Sequence, residues 1–120
     1  MDVPEPLRIA LAQINTTVGD IEGNTAKVVD GLGRARAEGA QVVLFPELAV
    51  NGYPPEDLLL KTHFLAAGRR AVDQIAGEVG DMVALVGFAE HAEDVYNSMA
   101  VLADGRVQGI YRKIYLSNTP

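Results

Sequence analysis

The sequence predicts an α/β domain, a mixed β-sheet layered against helices. Three observations carry that reading. Short apolar runs, "QVVLFP" and "MVALVGFAE", end in a proline or an acid; segments with apolar residues at helical spacing lie between them; and the last part alternates around an Asp-Gly pair.

The elements follow in order. "LRIALAQI" is an alternating and then nearly continuous apolar run that suits a strand buried on at least one face. "GDIEGNTAKVVDGLGRARAEG" puts Ile21, Val28, Leu32 and Ala35 on one helical face, with Asn24 as the N-cap and Gly39 just past the end. Gly31 and Gly33 weaken that helix. "QVVLFP" reads as a central strand, which sets Glu47 at a strand's carboxyl end. "EDLLLKTHFLAAGRRAVDQIAGEVG" carries Leu65, Val72, Ile75 and Val79 at helical spacing, as a short turn and then a longer helix ending near Gly80. "MVALVGFAE" is the next strand. "VYNSMAVLADGRVQGIYRKIYL" is a hairpin, because Asp104-Gly105 favours the positive backbone dihedrals of a type I′ turn. In such sheets ligands gather at the carboxyl ends of the strands, where Glu47 and its loop lie.

The chain's 120 residues and 12.8 kDa correspond to one domain, 1–120, or part of one. A hydrophobic content of 48% with 22% charged residues is that of a folded chain. The net charge of −6 argues against a nucleic-acid or anionic-membrane surface, since both recruit clustered lysine and arginine. The sequence has no cysteine, hence no disulfide framework and no thiolate metal site. "MDVPEPLRIALAQ" has an acid ahead of too short an apolar run for a signal peptide or a membrane span, so a cytoplasmic chain is expected.

Two charged residues stand out. Glu47, in "VVLFPELAV", is by spacing alone more often a solvent-facing or turn-capping carboxylate than a catalytic one. Its apolar surroundings favour the other reading, because desolvation raises a carboxyl pKa and suits it to general-base work near neutral pH. Lys113 neighbours Arg112 in "YRKIYL", and adjacent strand residues point to opposite faces. If one faces solvent, the other faces the layer beneath, where a buried lysine requires a carboxylate partner such as Glu47. The plainer reading makes both ordinary solvated charges.

Other patterns carry less. "GLGRAR" lies inside a helical pattern, and Arg36 occupies the place of a dinucleotide loop's third glycine. His63 and His91 lack companions at metal-ligand spacing and read as surface or helix-end residues. Ser98 stands in "YNSMAV", not in a G-x-S-x-G elbow. Tyr96, Tyr111 and Tyr115 are expected to pack the hairpin.

"LRIALAQINTTVGDIEGN", "VVLFPELAVNGYPPEDLL" and "YNSMAVLADGRVQGIYRKIYL" together resemble the nitrilase, or carbon–nitrogen hydrolase, superfamily, and most of all the N-terminal glutaminase domains of glutamine-dependent NAD synthetases. The resemblance runs to about Asn118. It implies an αββα sandwich, present here only as its N-terminal part, with helices on one face of a mixed sheet and a β-hairpin. It also implies a Glu-Lys-Cys triad in which Glu47 is the general base and Lys113 stabilises the oxyanion, while the nucleophilic cysteine is absent from this chain. Tyr53 is the substrate-binding candidate. The implied substrate is glutamine, and the ammonia released would pass to a synthetase domain that amidates deamido-NAD. No cofactor is expected for this domain; ATP and magnesium would belong to the synthetase half. A homo-oligomer is the expected assembly, with no nucleic-acid or membrane partner.

The family continues after "YRKIYL" with Pro-Asn-Tyr, whereas this chain reads "SNTP". The expectation is therefore a front part of the domain that holds two members of a three-member site and does not hydrolyse glutamine alone. A free-standing amidase or carbamoylase is the enzymatic alternative, and a non-catalytic scaffold or pseudoenzyme fragment the other. A cut sheet is also expected to expose an unpaired strand and apolar surface.

Overall fold

The computed structural model describes residues 6–52 and 62–116. Its elements are β1 (Ile9–Leu11), α1 (Ile21–Ala37), β2 (Val42–Leu44), α2 (Thr62–Ala76), β3 (Val83–His91), β4 (Val95–Ala103) and β5 (Arg106–Tyr115). The strands form one five-stranded sheet in the order β1-β2-β3-β4-β5. The first three run parallel, as strands joined by crossover helices do, and the last three are antiparallel neighbours joined by tight connections. The expected mixed α/β sheet is therefore present.

Helix α1 starts one turn earlier than its expected cap. Asp20 caps it, its Oδ1 accepting from the Gly23 N–H at 2.9 Å. Asn24 lies inside the helix and is fully buried. Its amide can accept and donate at once, which an acid cannot: Oδ1 accepts from the Thr17 N–H at 2.8 Å, and Nδ2 donates to the carbonyls of Thr17 (2.8 Å) and Val50 (3.0 Å). It thus clamps the loop after β1 to the turn after β2. At the other end Gly39 takes a φ of 75°, with Gly39 N–H donating to the Arg36 carbonyl and Ala40 N–H to that of Ala35, a Schellman closure. Helix α2 stops at Ala76, and a turn carries the chain through Val79 to Gly80.

Both helices cover one face of the sheet. Val28 and Leu32 of α1 and Val72 and Ile75 of α2 pack on Val43, Val86, Phe88, Ala100 and Leu102, all buried. Burying such a side chain contributes about 1.5–3 kcal/mol before entropy is counted. Strand alternation sends Ile9, Leu11, Val42, Leu44, Val83, Leu85, Met99 and Val101 to the other face. Ile9 and Leu11 are exposed there, so the expected apolar surface exists. Gly105 and Asp104 both have positive φ, the type I′ turn read from the sequence.

Candidate active site

The chain leaves β2 at Leu44 and folds back over β3. Phe45 N–H donates to the Leu85 carbonyl (2.9 Å), Val50 N–H to that of Gly87 (3.2 Å), and the Asn51 Oδ1 accepts from Ala89 N–H (2.8 Å). These bonds hang residues 45–51 on three alternate positions of one strand. Gly87 makes the approach possible: a β-carbon there would lie 2.6 Å from the Leu48 nitrogen and 2.7 Å from the Pro46 oxygen. Leu48, with a φ of 50°, turns the chain at that point. The result projects Glu47 over the face of the sheet away from the helices.

Lys113 reaches the same place from β5. Its Nζ donates to Glu47 Oε2 at 2.9 Å, across 66 residues of sequence. The β4–β5 register shifts between Asn97 and Ser98: Ser98 pairs with Arg112 and Asn97 with Ile114. Lys113 is the extra residue of this bulge, a feature that re-aims side chains. Arg112 points to the opposite face, as alternation requires, and makes a two-pronged contact with Glu90, Nε to Oε1 at 2.8 Å and Nη2 to Oε2 at 3.1 Å.

A third residue, Asn97 of β4, donates from Nδ2 to Glu47 Oε1. Each carboxylate oxygen of Glu47 therefore has a donor. Asn97 was not among the sequence candidates; the available signal was the polar pair Asn97-Ser98 inside the strand "VYNSMAV", and Asn97 is 2% exposed.

The electrostatics reverse one expectation. The Lys113 ammonium holds the Glu47 carboxyl below its ordinary value; burial works the other way, and the Asn97 hydrogen bond adds to the lowering. The side chain of Glu47 is 43% exposed and that of Lys113 56%, so desolvation is too weak to raise the acid. Lys113 is raised in turn by Glu47. The expected carboxylate partner of Lys113 is present, but the pair is half exposed rather than buried. At neutral pH the site presents a carboxylate and an ammonium side by side. The first can accept a proton and the second can stabilise a developing oxyanion.

The remaining candidates fall elsewhere. Tyr53, with the Pro54-Pro55 loop, lies outside the described residues, as do residues 117–120. His63 in the first turn of α2 and His91 at the end of β3 are both exposed. Among the described residues no three histidines, cysteines or acids gather at a metal-holding distance. Tyr111 is 66% exposed and does not pack the hairpin, because nothing described covers its face of the edge strand. Ser98 is buried and donates to Glu90. A groove runs between α1 and α2, across the sheet from Glu47 and Lys113, and includes neither. No helix among the described residues is long and apolar enough to cross a membrane.

The chain is 44% identical over 114 residues to a glutamine-dependent NAD(+) synthetase of Thermotoga maritima, covering 93% of this chain and 20% of that protein. A crystal structure of a glutamine-dependent NAD(+) synthetase from Cytophaga hutchinsonii superposes with a TM-score of 0.87 at 28% identity, over 93% of this chain and 20% of that one. A mutant of the amidase from Nesterenkonia sp. AN1, which shows Michael addition of acrylamide at its active-site cysteine, gives 0.77 at 26% identity, over 91% of this chain and 44% of that one. The chain thus spans about a fifth of the length of the curated relatives it matches. The carbon-nitrogen hydrolase family matches residues 8–120, nearly everything described above. With that match running over most of the chain and the fold agreeing with it, this chain belongs to the carbon-nitrogen hydrolase family.

Proposed function

We propose that these residues form the glutaminase portion of a glutamine-dependent NAD synthetase, supplying the base and the cation of a Glu-Lys-Cys site. The observation that carries this reading is the contact of Lys113 Nζ with Glu47 Oε2 at 2.9 Å, held on an open face of the sheet. In the proposed reaction Glu47 takes the proton of a cysteine thiol, and the thiolate attacks the side-chain amide carbon of glutamine. Lys113 stabilises the oxyanion as the tetrahedral centre forms. Ammonia leaves, water then cleaves the thioester, and glutamate is released. The 120 residues contain no cysteine, so the thiol comes from outside them, and these residues alone are proposed to be inactive. ATP and magnesium serve the separate amidation of deamido-NAD.

The test uses the native polypeptide. Glu47→Gln and Lys113→Met should each lower glutamine-dependent NAD formation by about a hundredfold or more, the usual scale of a lost general base and of a lost oxyanion donor, while formation from free ammonia persists. Equal loss from both nitrogen sources would sink the glutaminase reading. The likeness to the Nesterenkonia amidase favours one second reading, a free-standing amidase that uses the same pair. Hydrolysis of simple aliphatic amides with no NAD formation under any nitrogen source would select it.

A further inference from the structure

We infer that Glu90, Arg112 and Ser98 form a latch on the helix-side face of the sheet that seats Lys113 against Glu47 on the opposite face, with Glu90 and Arg112 as positioning residues. Its catalytic meaning rests on the function proposed above; its geometry and its test do not.

The need for a latch follows from the sheet. Strand β5 is the last in the order and is paired only with β4 among the described residues. Lys113 is the extra residue of the bulge, where the regular ladder is interrupted. Backbone pairing is therefore broken at the residue whose side chain has to be placed. Yet Lys113 must be held well enough for its flexible four-carbon stem to end on one carboxylate oxygen.

Arg112, its neighbour in the chain, supplies a hold from the other side. The guanidinium passes over the Tyr96 ring, 4.7 Å from its centre, and reaches beyond β4 to Glu90 on β3. Both prongs engage, one to each carboxylate oxygen, and Ser98 Oγ donates to Oε1 at 2.9 Å. The Glu90 side chain is 12% exposed and Ser98 1%, against 49% for Arg112, so the acid is partly desolvated with both oxygens partnered while the guanidinium stays half in water. Its carboxyl is held below the ordinary range, by Arg112 first. Strand β3 is thus the anchor for both faces: Glu90 holds Arg112 on one, and the turn hung from Leu85, Gly87 and Ala89 presents Glu47 to Lys113 on the other.

The test is a carbon-detected NMR titration of the Glu47 side-chain carboxyl in this chain and in Glu90→Gln. Removing a negative charge acts through space to lower the Glu47 midpoint, whereas unseating Lys113 raises it, so the sign separates the two effects. The latch predicts an upward shift in Glu90→Gln, a smaller one in Ser98→Ala, and none in Gln108→Ala, an exposed control on the same strand whose Nε2 donates to the Ala103 carbonyl. A Glu47 midpoint that stays or falls in folded Glu90→Gln would overturn the proposal. If Glu90→Gln does not fold, Ser98→Ala decides in the same way. Neither result depends on glutamine hydrolysis, so failure of the latch and failure of the glutaminase reading remain distinct.

Discussion

The carbonyl oxygen of Pro46 lies against Gly87 so closely that a β-carbon at residue 87 would come within 2.7 Å of it, and the colliding atoms are backbone on a turn that carries Glu47. Gly87→Ala must therefore push that turn off β3. We expect a destabilisation of about 1–3 kcal/mol in urea unfolding, the usual cost of overpacking. The Glu47 titration should also move up, as Lys113 is left behind. An alanine variant as stable as the parent would show that the turn yields without cost.

Lys113 and Asn97 both depress the Glu47 carboxyl, and Lys113 is the larger cause. Lys113→Met and Asn97→Ala should each raise the Glu47 midpoint, Lys113→Met by more. NMR titration of the two variants checks the order as well as the direction.

Acid stability should follow the same groups. Folded Glu47 and Glu90 bind their protons less tightly than the ordinary glutamate value of 4.5. Their contributions are complete above that value and disappear as the pH falls through the lowered one. Lys113 acts at the other end, since its raised pKa gives a contribution present below 10.5 and lost as the pH rises through the raised value. Between pH 7 and 3 the melting temperature of Glu90→Gln should fall less than that of the parent. Glu47→Gln should show the same flattening more weakly, because its half-exposed pair is screened by water. Parallel curves for all three would contradict the assignment.

Asn24→Ala removes a buried amide that satisfies Thr17 N–H, the Thr17 carbonyl and the Val50 carbonyl. The expected cost is about 3 kcal/mol, the upper range for stranded buried backbone groups. Asp20→Ala, which removes only a cap, should cost about 1 kcal/mol. Chemical denaturation of the pair tests the assignment of the cap to Asp20.

Gly105→Ala places a β-carbon at a φ of 80° in the hairpin turn and should cost roughly 1 kcal/mol. Open space surrounds that position, so the loss would be conformational alone.

Much of this was legible in the residues. Helical spacing marked Val28, Leu32, Val72 and Ile75 as core, and all are buried. The Asp104-Gly105 pair set the hairpin and its register to Ala103 and Arg106. Alternation separated Arg112 from Lys113. These properties are local: each depends on a residue and neighbours a few positions away, whose dihedral preferences and spacing act wherever the chain goes. The meeting of Glu47 with Lys113 was raised as an option by the sequence and decided by the tertiary structure, through a turn pulled over Gly87 and a bulge opposite Asn97. The role of Asn97, the clamp made by Asn24, the latch at Glu90 and the lowered carboxyl of Glu47 were likewise decided there. Each depends on how far apart two remote side chains lie and how much water stays between them, and only packing sets those two quantities.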